Sequence, residues 1–459
     1  MIMVVVVVMM MMGMTKNRIR ALPLGVAVTR TFMTAPSCGE NKRLYRRLSA
    51  LDTRPGGSVE KVMDEWVKEG KAVTESKLVN IVKELRRYKN YKHALKVIDW
   101  MEKRGFEINV SIHAMRLDLI SKFKTIDMAE KYFSKLPERA KNRMTYGALL
   151  NNYCQEKMLE KALALYDKMK ELNFASSTLV CNNIMTLYLK LGQHEKVAAH
   201  FQEMKASKIY PDRITYGILM SSYASKNDIG SIERIVEEMK RVGFDWSMWC
   251  NIAGYYNSAG LYEKAESVLK KAEKMMPRGD RDAYHFLLTL YAGAGNLAEV
   301  ERVWKLLKSS FGKTTNMSYY HMFHVLRKLD DLDRLKQCFE EWESSCDSYD
   351  VKLVNVLIDA YLRKSMVKEA ETIWEKSIRK GFGSDFRTLE LFTEYYFLRH
   401  NVGSATKFLE RFACIAKQEG REPDRKKATK FLKHITDGKD DDGVEAFRKR
   451  FRSFIFHNA

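Results

Sequence analysis

Between Glu75 and Gly420 the apolar residues fall into alternating stripes with the i, i+3, i+4, i+7 spacing that lines one face of a helix. The first stripe reads Tyr146, Leu149, Leu150, Tyr153, then Cys181, Ile184, Met185, Tyr188, then Tyr216, Leu219, Met220, Tyr223, and later Tyr284, Leu287, Leu288, Tyr291. Segments such as Tyr146-Gly-Ala-Leu-Leu, Tyr216-Gly-Ile-Leu-Met, Tyr284-His-Phe-Leu-Leu and Val354-Asn-Val-Leu-Ile overlay on one another. In one register the units begin at Glu75, Val110, Arg143, Thr178, Arg213, Trp246, Arg281, Asn316, Val351 and Phe386, with seven spacings of 35 residues and two of 33. The pattern predicts ten copies of a helix pair, stacked so that each buries its apolar faces against its neighbours.

In the second helix the twentieth residue of each unit is small or aliphatic: Ala94, Ala129, Ala162, Val197, Ile232, Ala265, Val300, Leu335, Ala370 and Ala405. A narrow side chain at a fixed place lets two helices approach closely. Four residues on stand Phe133, Tyr166, Phe201, Trp304, Phe339 and Trp374, which read as packing between units rather than as a base-stacking platform. Pro137, Pro211, Pro277 and Pro423 fall near unit ends or between helices, where a missing N–H does least harm. Gly192, Gly260 and Gly295 share the turn between paired helices, where a left-handed backbone suits glycine. No strand pattern interrupts this span, so the fold class is all-α.

Charge narrows the partner. The chain of 459 residues has 79 Lys and Arg against 58 Asp and Glu, a formal charge of +21. That balance favours an acidic partner such as nucleic acid or an anionic surface. The seven cysteines, Cys38, Cys154, Cys181, Cys250, Cys338, Cys346 and Cys414, contain no C-x-x-C and several lie on the apolar stripes. They read as reduced core thiols, not as a disulfide framework or a zinc site. No cofactor or metal is implied.

The flanks differ from the array. Residues 1–39 hold no Asp or Glu, but Lys16, Arg18, Arg20 and Arg30 are interleaved with Leu22, Leu24, Val26 and Val28. This is the composition of an organellar transit peptide. The Arg30-Thr-Phe32 step resembles a mitochondrial processing site, placing a transit peptide at 1–32 and favouring mitochondrion over plastid. Met1 to Met12 is an apolar run of twelve residues, too short to span a bilayer, and a start at Met14 would give an ordinary presequence. No stable membrane insertion is expected. Residues 33–74 read as a linker with an N-terminal capping helix, and 421–459 as a C-terminal capping helix pair. In that pair Phe447, Phe451 and Ile455 share one face and Arg448, Lys449, Arg450 and Arg452 occupy the rest. It fits either a cap on the last unit or a basic contact to RNA or a ribosome. The stretch from Asp437 to Gly443 lacks the ligand spacing of a calcium loop and reads as a solvated turn.

The unit TLVCNNIMTLYLKLGQHEKVAAHFQEMKASKIYPD, from Thr178 to Asp212, resembles over its full length the pentatricopeptide repeat (PPR) of plant organelle proteins, in the P class of plain 35-residue units. The resemblance covers residues 75–420. Tyr45-Arg-Arg-Leu-Ser49 and Glu84-Leu-Arg-Arg-Tyr-Lys-Asn-Tyr-Lys-His-Ala-Leu95 are similar to segments that open one mitochondrial subgroup. Tetratricopeptide repeats are the nearest rival, with a different period of about 34 residues and other signature residues. The resemblance implies a right-handed α-solenoid superhelix of about ten helix-turn-helix units, and single-stranded RNA bound at one nucleotide per repeat.

It also implies site residues. The fifth and last residues of a unit contact the base, and an apolar second residue packs on the base face. Asn182 with Asp212, and Asn355 with Asp385, are then pairs that favour uracil, with Leu179 a wedge beside the first. Met144, Leu179 and Ile214 are apolar at the second place, and Asp212 and Asp245 close two units, so the stretch from Arg143 to Asp245 preserves the pattern best. Elsewhere the fifth residues are Val79, Ala114, Gly147, Gly217, Cys250, His285, Tyr320 and Glu390, and Asp282, Lys352 and Arg387 stand at second places. These departures leave shape and charge as the larger contributions. The thirteenth residue, which the resemblance places near the phosphates, is basic in five units: Arg87, Lys122, Lys190, Lys328 and Arg363. Alternatively each is a solvated cation at a helix end.

No phosphate loop, H-E-x-x-H motif or zinc-deaminase signature is present, so no catalytic residue is assigned. Two functions remain: an organellar RNA-binding adaptor in transcript stability, processing or translation, and a structural or accessory factor of the mitochondrial ribosome with little base readout. A protein-only scaffold is third.

Overall fold

The computed structural model describes residues 37–53, 58–239, 243–383, 385–420, 425–437 and 442–456. The transit-peptide assignment for 1–32 and the centre of the acidic stretch at 438–441 lie outside them. Among the described residues all regular structure is helical, in two compact units divided between Phe244 and Asp245.

In each compact unit five first helices begin at the residues the stripes mark. They are Glu75–Arg87, Val110–Phe123, Arg143–Gln155, Thr178–Lys190 and Arg213–Ser225, then Trp246–Ser258, Arg281–Gly293, Asn316–Lys328, Val351–Arg363 and Phe386–Leu398. Within a compact unit consecutive first helices pack on one another from Val110–Phe123 onward, each second helix packs on its own partner, and several second helices also pack on the first helix that follows. The first helices thus form one layer and the second helices another.

The twentieth residue is the interlock. All ten of these residues, Ala94 to Ala405, have 0% exposure. The aromatics four places on complete the seam: Tyr166, Phe201, Trp304, Phe339 and Trp374 are buried and Phe133 is half-buried. They are core, as the pattern predicts, with Trp304 edge-on to Tyr319 at 5.5 Å and Trp374 against Phe408 at 4.5 Å. Cys154, Cys181, Cys250 and Cys338 are buried free thiols in the same seams.

The second-helix layer is bridged by long side chains. Lys170 reaches Glu203 at 3.1 Å, Lys205 reaches Glu238 at 2.8 Å, Lys308 reaches Glu341 at 3.2 Å and Lys376 reaches Glu343 at 2.5 Å. Each pair joins second helices of consecutive units. Such exposed pairs contribute about 0–1 kcal/mol apiece, so they tune the stacking while the buried seam holds it.

The helix-to-helix turn has one backbone requirement. Its middle residue is left-handed in nine units, at Gly192, Gly260 and Gly295 but also at Lys89, Lys157, Asn227, Asp330, Ser365 and His400. Lys124 is the exception, at φ −108°. That unit is one of the two with 33-residue spacing; its second helix, Ile126–Ser134, is cut to 9 residues and followed by a 3-10 turn. In the other, the second helix Ile229–Glu238 has 10 residues.

Two helices, not the single capping helix of the sequence reading, precede the array. Ser37–Ser49 packs on Glu75–Arg87, and Val59–Lys68 packs on Tyr91–Lys103, where Trp100 donates to Asp64 at 2.8 Å. Gly and Pro at 55–57 separate two short apolar runs that a single helix could not have joined. At the other end Arg425–Thr436 and Asp442–Phe456 bury Phe431, Phe447, Phe451 and Ile455 between themselves and the last unit, with Phe397 and Phe447 rings 5.0 Å apart.

Two substitutions test the interlock and the turn. Ala162→Leu inserts three heavy atoms into a seam with no free volume and should lower stability by about 1–3 kcal/mol in chemical denaturation. His400→Gly relieves a non-glycine residue at φ 53° and should leave stability unchanged or raise it, whereas Gly260→Ala at φ 74° should lower it by about 1 kcal/mol.

Candidate nucleic-acid interface

All ten first helices start on a residue whose side chain accepts a backbone N–H of the first turn: Thr74, Asn109, Asn142, Ser177, Asp212, Asp245, Asp280, Thr315, Asp350 and Asp385. A helix leaves its first N–H groups without partners, and a short polar side chain just before it satisfies one of them. From Asn109 onward this capping residue is also, in the repeat register, the last residue of the preceding unit. The place expected to meet a base is therefore a helix cap first.

At Asp212 the cap also meets the fifth-place asparagine. Its Oδ1 accepts Thr215 N–H at 2.8 Å and the Asn182 amide at 3.1 Å, and Thr215 Oγ1 donates to Asn182 Oδ1 at 2.8 Å. The same triad recurs in the second compact unit: Asn355 donates to Asp385 at 2.7 Å, Thr388 Oγ1 donates to Asn355 Oδ1 at 2.7 Å, and Asp385 caps through Arg387 N–H at 3.2 Å. Asn182 and Asn355 are only 5% and 6% exposed. Each amide is thus oriented by its threonine, with one N–H committed to the carboxylate. Thr215 and Thr388 were not singled out from the sequence; the Asp-x-x-Thr spacing of a capping box was the available signal. Asp245 caps the next helix through Met248 N–H at 2.9 Å and accepts Ser247 Oγ at 2.7 Å.

The second places split. Met144 is 51% and Leu179 63% exposed, large apolar side chains on the first-helix layer, while Ile214 is half-buried. Met317, at the same register place and 58% exposed, belongs with them although the sequence reading passed over it. Lys352 and Arg387 flank the Asn355 triad with charge, Arg387 pairing with Glu390 at 2.9 Å. In the Glu75 unit the first, second, fifth and last places, with their neighbours, line an open groove of about 470 Å³: Thr74, Glu75, Ser76, Val79, Asn109 and Ser111.

Two fifth places of the second compact unit differ. Cys250 is 0% exposed, and burial drives its thiol far above the usual range. His285 takes the asparagine's place, bonding Ser318 Oγ at 2.9 Å and stacking on His321 at 4.4 Å. Burial, with His321 and Arg281 beside it, lowers His285 to about 3, and burial likewise lowers His324 to about 4.

The thirteenth places carry their cations, though not bare ones. Lys122 lies 3.0 Å from Asp118, which also holds Arg86 at 2.7 Å. Arg363 lies 3.0 Å from Asp359, which also pairs with Arg327. In both cases an aspartate at the ninth place ties the cation of its own unit to the twelfth residue of the unit before. Lys190 donates to Gln155, the thirteenth residue of the preceding unit, at 2.7 Å. Partial burial of its ammonium lowers Lys328. Arg87 is exposed, with its guanidinium 5.8 Å from the Tyr88 ring. Among the described residues no group of three His, Cys, Asp or Glu is placed to hold a metal, and no helix is long and apolar enough to cross a membrane.

A layer of stacked, individually capped first helices whose exposed edge repeats at unit spacing defines a helical-repeat protein of the α-solenoid class. The PPR repeat model matches residues 144–174 and 353–382, the PPR repeat family model 176–225, and the pentatricopeptide repeat domain model 201–258. A mitochondrial pentatricopeptide repeat-containing protein of Arabidopsis thaliana is 38% identical over 413 residues, covering 89% of this chain and 82% of that protein. The chain belongs to the pentatricopeptide repeat family. A large ribosomal subunit protein of Arabidopsis thaliana is also 38% identical, over 90% of this chain and 88% of that protein. Among solved structures, a maize pentatricopeptide repeat protein superposes with a TM-score of 0.53 at 16% identity; the match covers 86% of this chain and 61% of the maize protein. The same maize protein bound to an 18-nt RNA element gives 0.51 at 16% identity, over 90% of this chain and 64% of the maize protein.

Asp212→Ala should cost about 1 kcal/mol in cap energy, whereas Asp212→Asn keeps the cap and should leave the melting temperature within a degree or two. The lowered histidines give a pH signature. They are neutral in the folded chain and protonate more readily unfolded, so their contribution is complete above about 6.5 and is lost as pH falls toward about 4. Stability should drop on the order of 1 kcal/mol per histidine between pH 7 and 5, and His324→Gln should flatten that dependence.

Proposed function

We propose that this protein is a mitochondrial single-stranded RNA-binding adaptor, acting in transcript stability, processing or translation. The observation that carries the reading is the Asn182, Asp212, Thr215 triad set beside exposed Leu179. It is a pre-oriented amide and carboxylate next to an apolar face, the chemistry that meets a pyrimidine edge while covering its ring. Similarity to relatives named mitochondrial supports the location, and the RNA held by the maize protein supports the ligand.

In this reading Asn182 and Asp212 select the base, Leu179 and Ile214 flank it, and Met144 serves the preceding place. Asn355 and Asp385 form a second selective position, flanked by charge. Asp245 follows Gly217, which has no side chain to bond with, so it adds little selection. Arg87, Lys122, Lys190, Lys328 and Arg363 line the phosphate path, with Lys122 and Arg363 partly neutralised in advance by Asp118 and Asp359.

A ribosomal role is the second reading, favoured by the apolar or closed fifth places Val79, Ala114, Gly147, Gly217 and Cys250 and by the ribosomal relative. The two separate in one experiment: retention of a randomised single-stranded RNA pool by the full chain at physiological salt, followed by sequencing. A short uracil-containing motif should emerge, and Asp212→Asn should shift its base preference on the order of tenfold without loss of fold. Tight binding without a motif favours the ribosomal role, and no binding contradicts both.

A further inference from the structure

We propose that the C-terminal helix pair, Arg425–Thr436 with Asp442–Phe456, is a second RNA surface that grips base-paired RNA through its phosphates, independently of any base reading by the repeats. The two helices hold nine Lys and Arg against two acidic residues, Asp442 and Glu445. Their apolar sides are spent inward, with Phe431, Leu432, Phe447, Phe451 and Ile455 buried. Cations face solvent at Arg425, Lys430 and Lys433 on the first helix and at Lys449 and Arg452 on the second, while the exposed acids Asp437, Asp442 and Glu445 lie around the turn that joins the helices.

On the second helices of the repeats some lysines are matched to glutamates of the neighbouring unit, as in Lys170 with Glu203 and Lys308 with Glu341, while others, such as Lys131, Lys270, Lys305 and Lys407, pair with no described carboxylate. In the terminal pair, Arg450 is matched to Glu410 and Arg448 to Glu445 and the Thr436 carbonyl, contacts that lock the pair onto the last unit and to itself. Arg425, Lys430, Lys433, Lys449 and Arg452 pair with no described carboxylate. A fixed field of uncompensated cations on docked helices attracts a polyanion.

Two observations choose the polyanion. A membrane-binding amphipathic helix needs an open apolar face, yet no large apolar side chain beyond Leu398 is exposed among the described residues. Nor does the surface offer an exposed aromatic ring on which an unpaired base could stack. A surface that touches only phosphates suits a duplex, whose phosphates are closely and regularly spaced. That the polyanion is RNA rests on the RNA-binding reading above; the strandedness does not.

The test uses the full chain and the variant Lys430→Glu, Lys433→Glu, Lys449→Glu, Arg452→Glu, all four at exposed positions, with a Gln version of the same four as a milder control. The probes are a blunt RNA hairpin without single-stranded overhang, the single-stranded pool, and vesicles of anionic phospholipid. Wild type should bind the hairpin, and the Glu variant should bind it at least about tenfold more weakly, with a log–log salt dependence shallower by about three to four. The Gln version should fall between, and motif selection from the pool should be unchanged in both. Hairpin affinity equal in wild type and variant, or absent from wild type, overturns the proposal, as does vesicle binding lost in parallel. Loss of pool selection with a retained, tail-dependent hairpin affinity would instead strike the base-reading proposal alone.

Discussion

Every first helix in this protein begins on a side chain that must accept a backbone hydrogen bond. That requirement confines the place before each first helix to Asp, Asn, Ser or Thr, and all ten such places obey it. Asp212 and Asp385 show what the confinement makes possible, since a carboxylate that caps one first helix can also fix an asparagine on the first helix before it. The capping hydrogen bond, the amide orientation and the threonine hydroxyl are one network. In the proposed reading stability and recognition share atoms there, so the useful substitutions are those that separate them.

The array was legible in the sequence because its determinants are local and periodic. The helix starts follow from the stripe beginning at residues such as Tyr146 and Tyr216, and the fully buried twentieth places from a column of Ala, Val, Ile and Leu. What hid was less regular. Glycine marks the left-handed turn in only three of nine units, and Lys157, Asn227 or His400 carry no such signal. The two helices before Glu75 read as one because they lie outside the 35-residue repeat, so no register marks their separate starts.

The site was legible in its outline and not in its bonding. Asn182 and Asp212 stand out by position, but Thr215, which orients the amide, belongs to the following unit. Asp118 and Asp359 likewise partner cations from two units each, and a pairing between residues some thirty places apart appears only when consecutive first helices are stacked. The burial of Cys250 and the turning inward of His285 depend on packing that spacing alone does not specify. Charge shows the same contrast: a net +21 says that an anion is wanted, while the structure shows which lysines are matched, such as Lys170 and Lys308, and which are not, such as Lys430 and Lys449.

The central claim is that a base is held where a helix cap and an asparagine meet. Its most direct test is a structure of the full chain with a single-stranded oligouridine. The account predicts a uracil edge against Asn182 and Asp212, its ring between Leu179 and Ile214, with the Asp212 cap to Thr215 intact. RNA lying away from the first-helix layer, or contacting it only through phosphates while the Asn182 amide keeps its present partners, would contradict it.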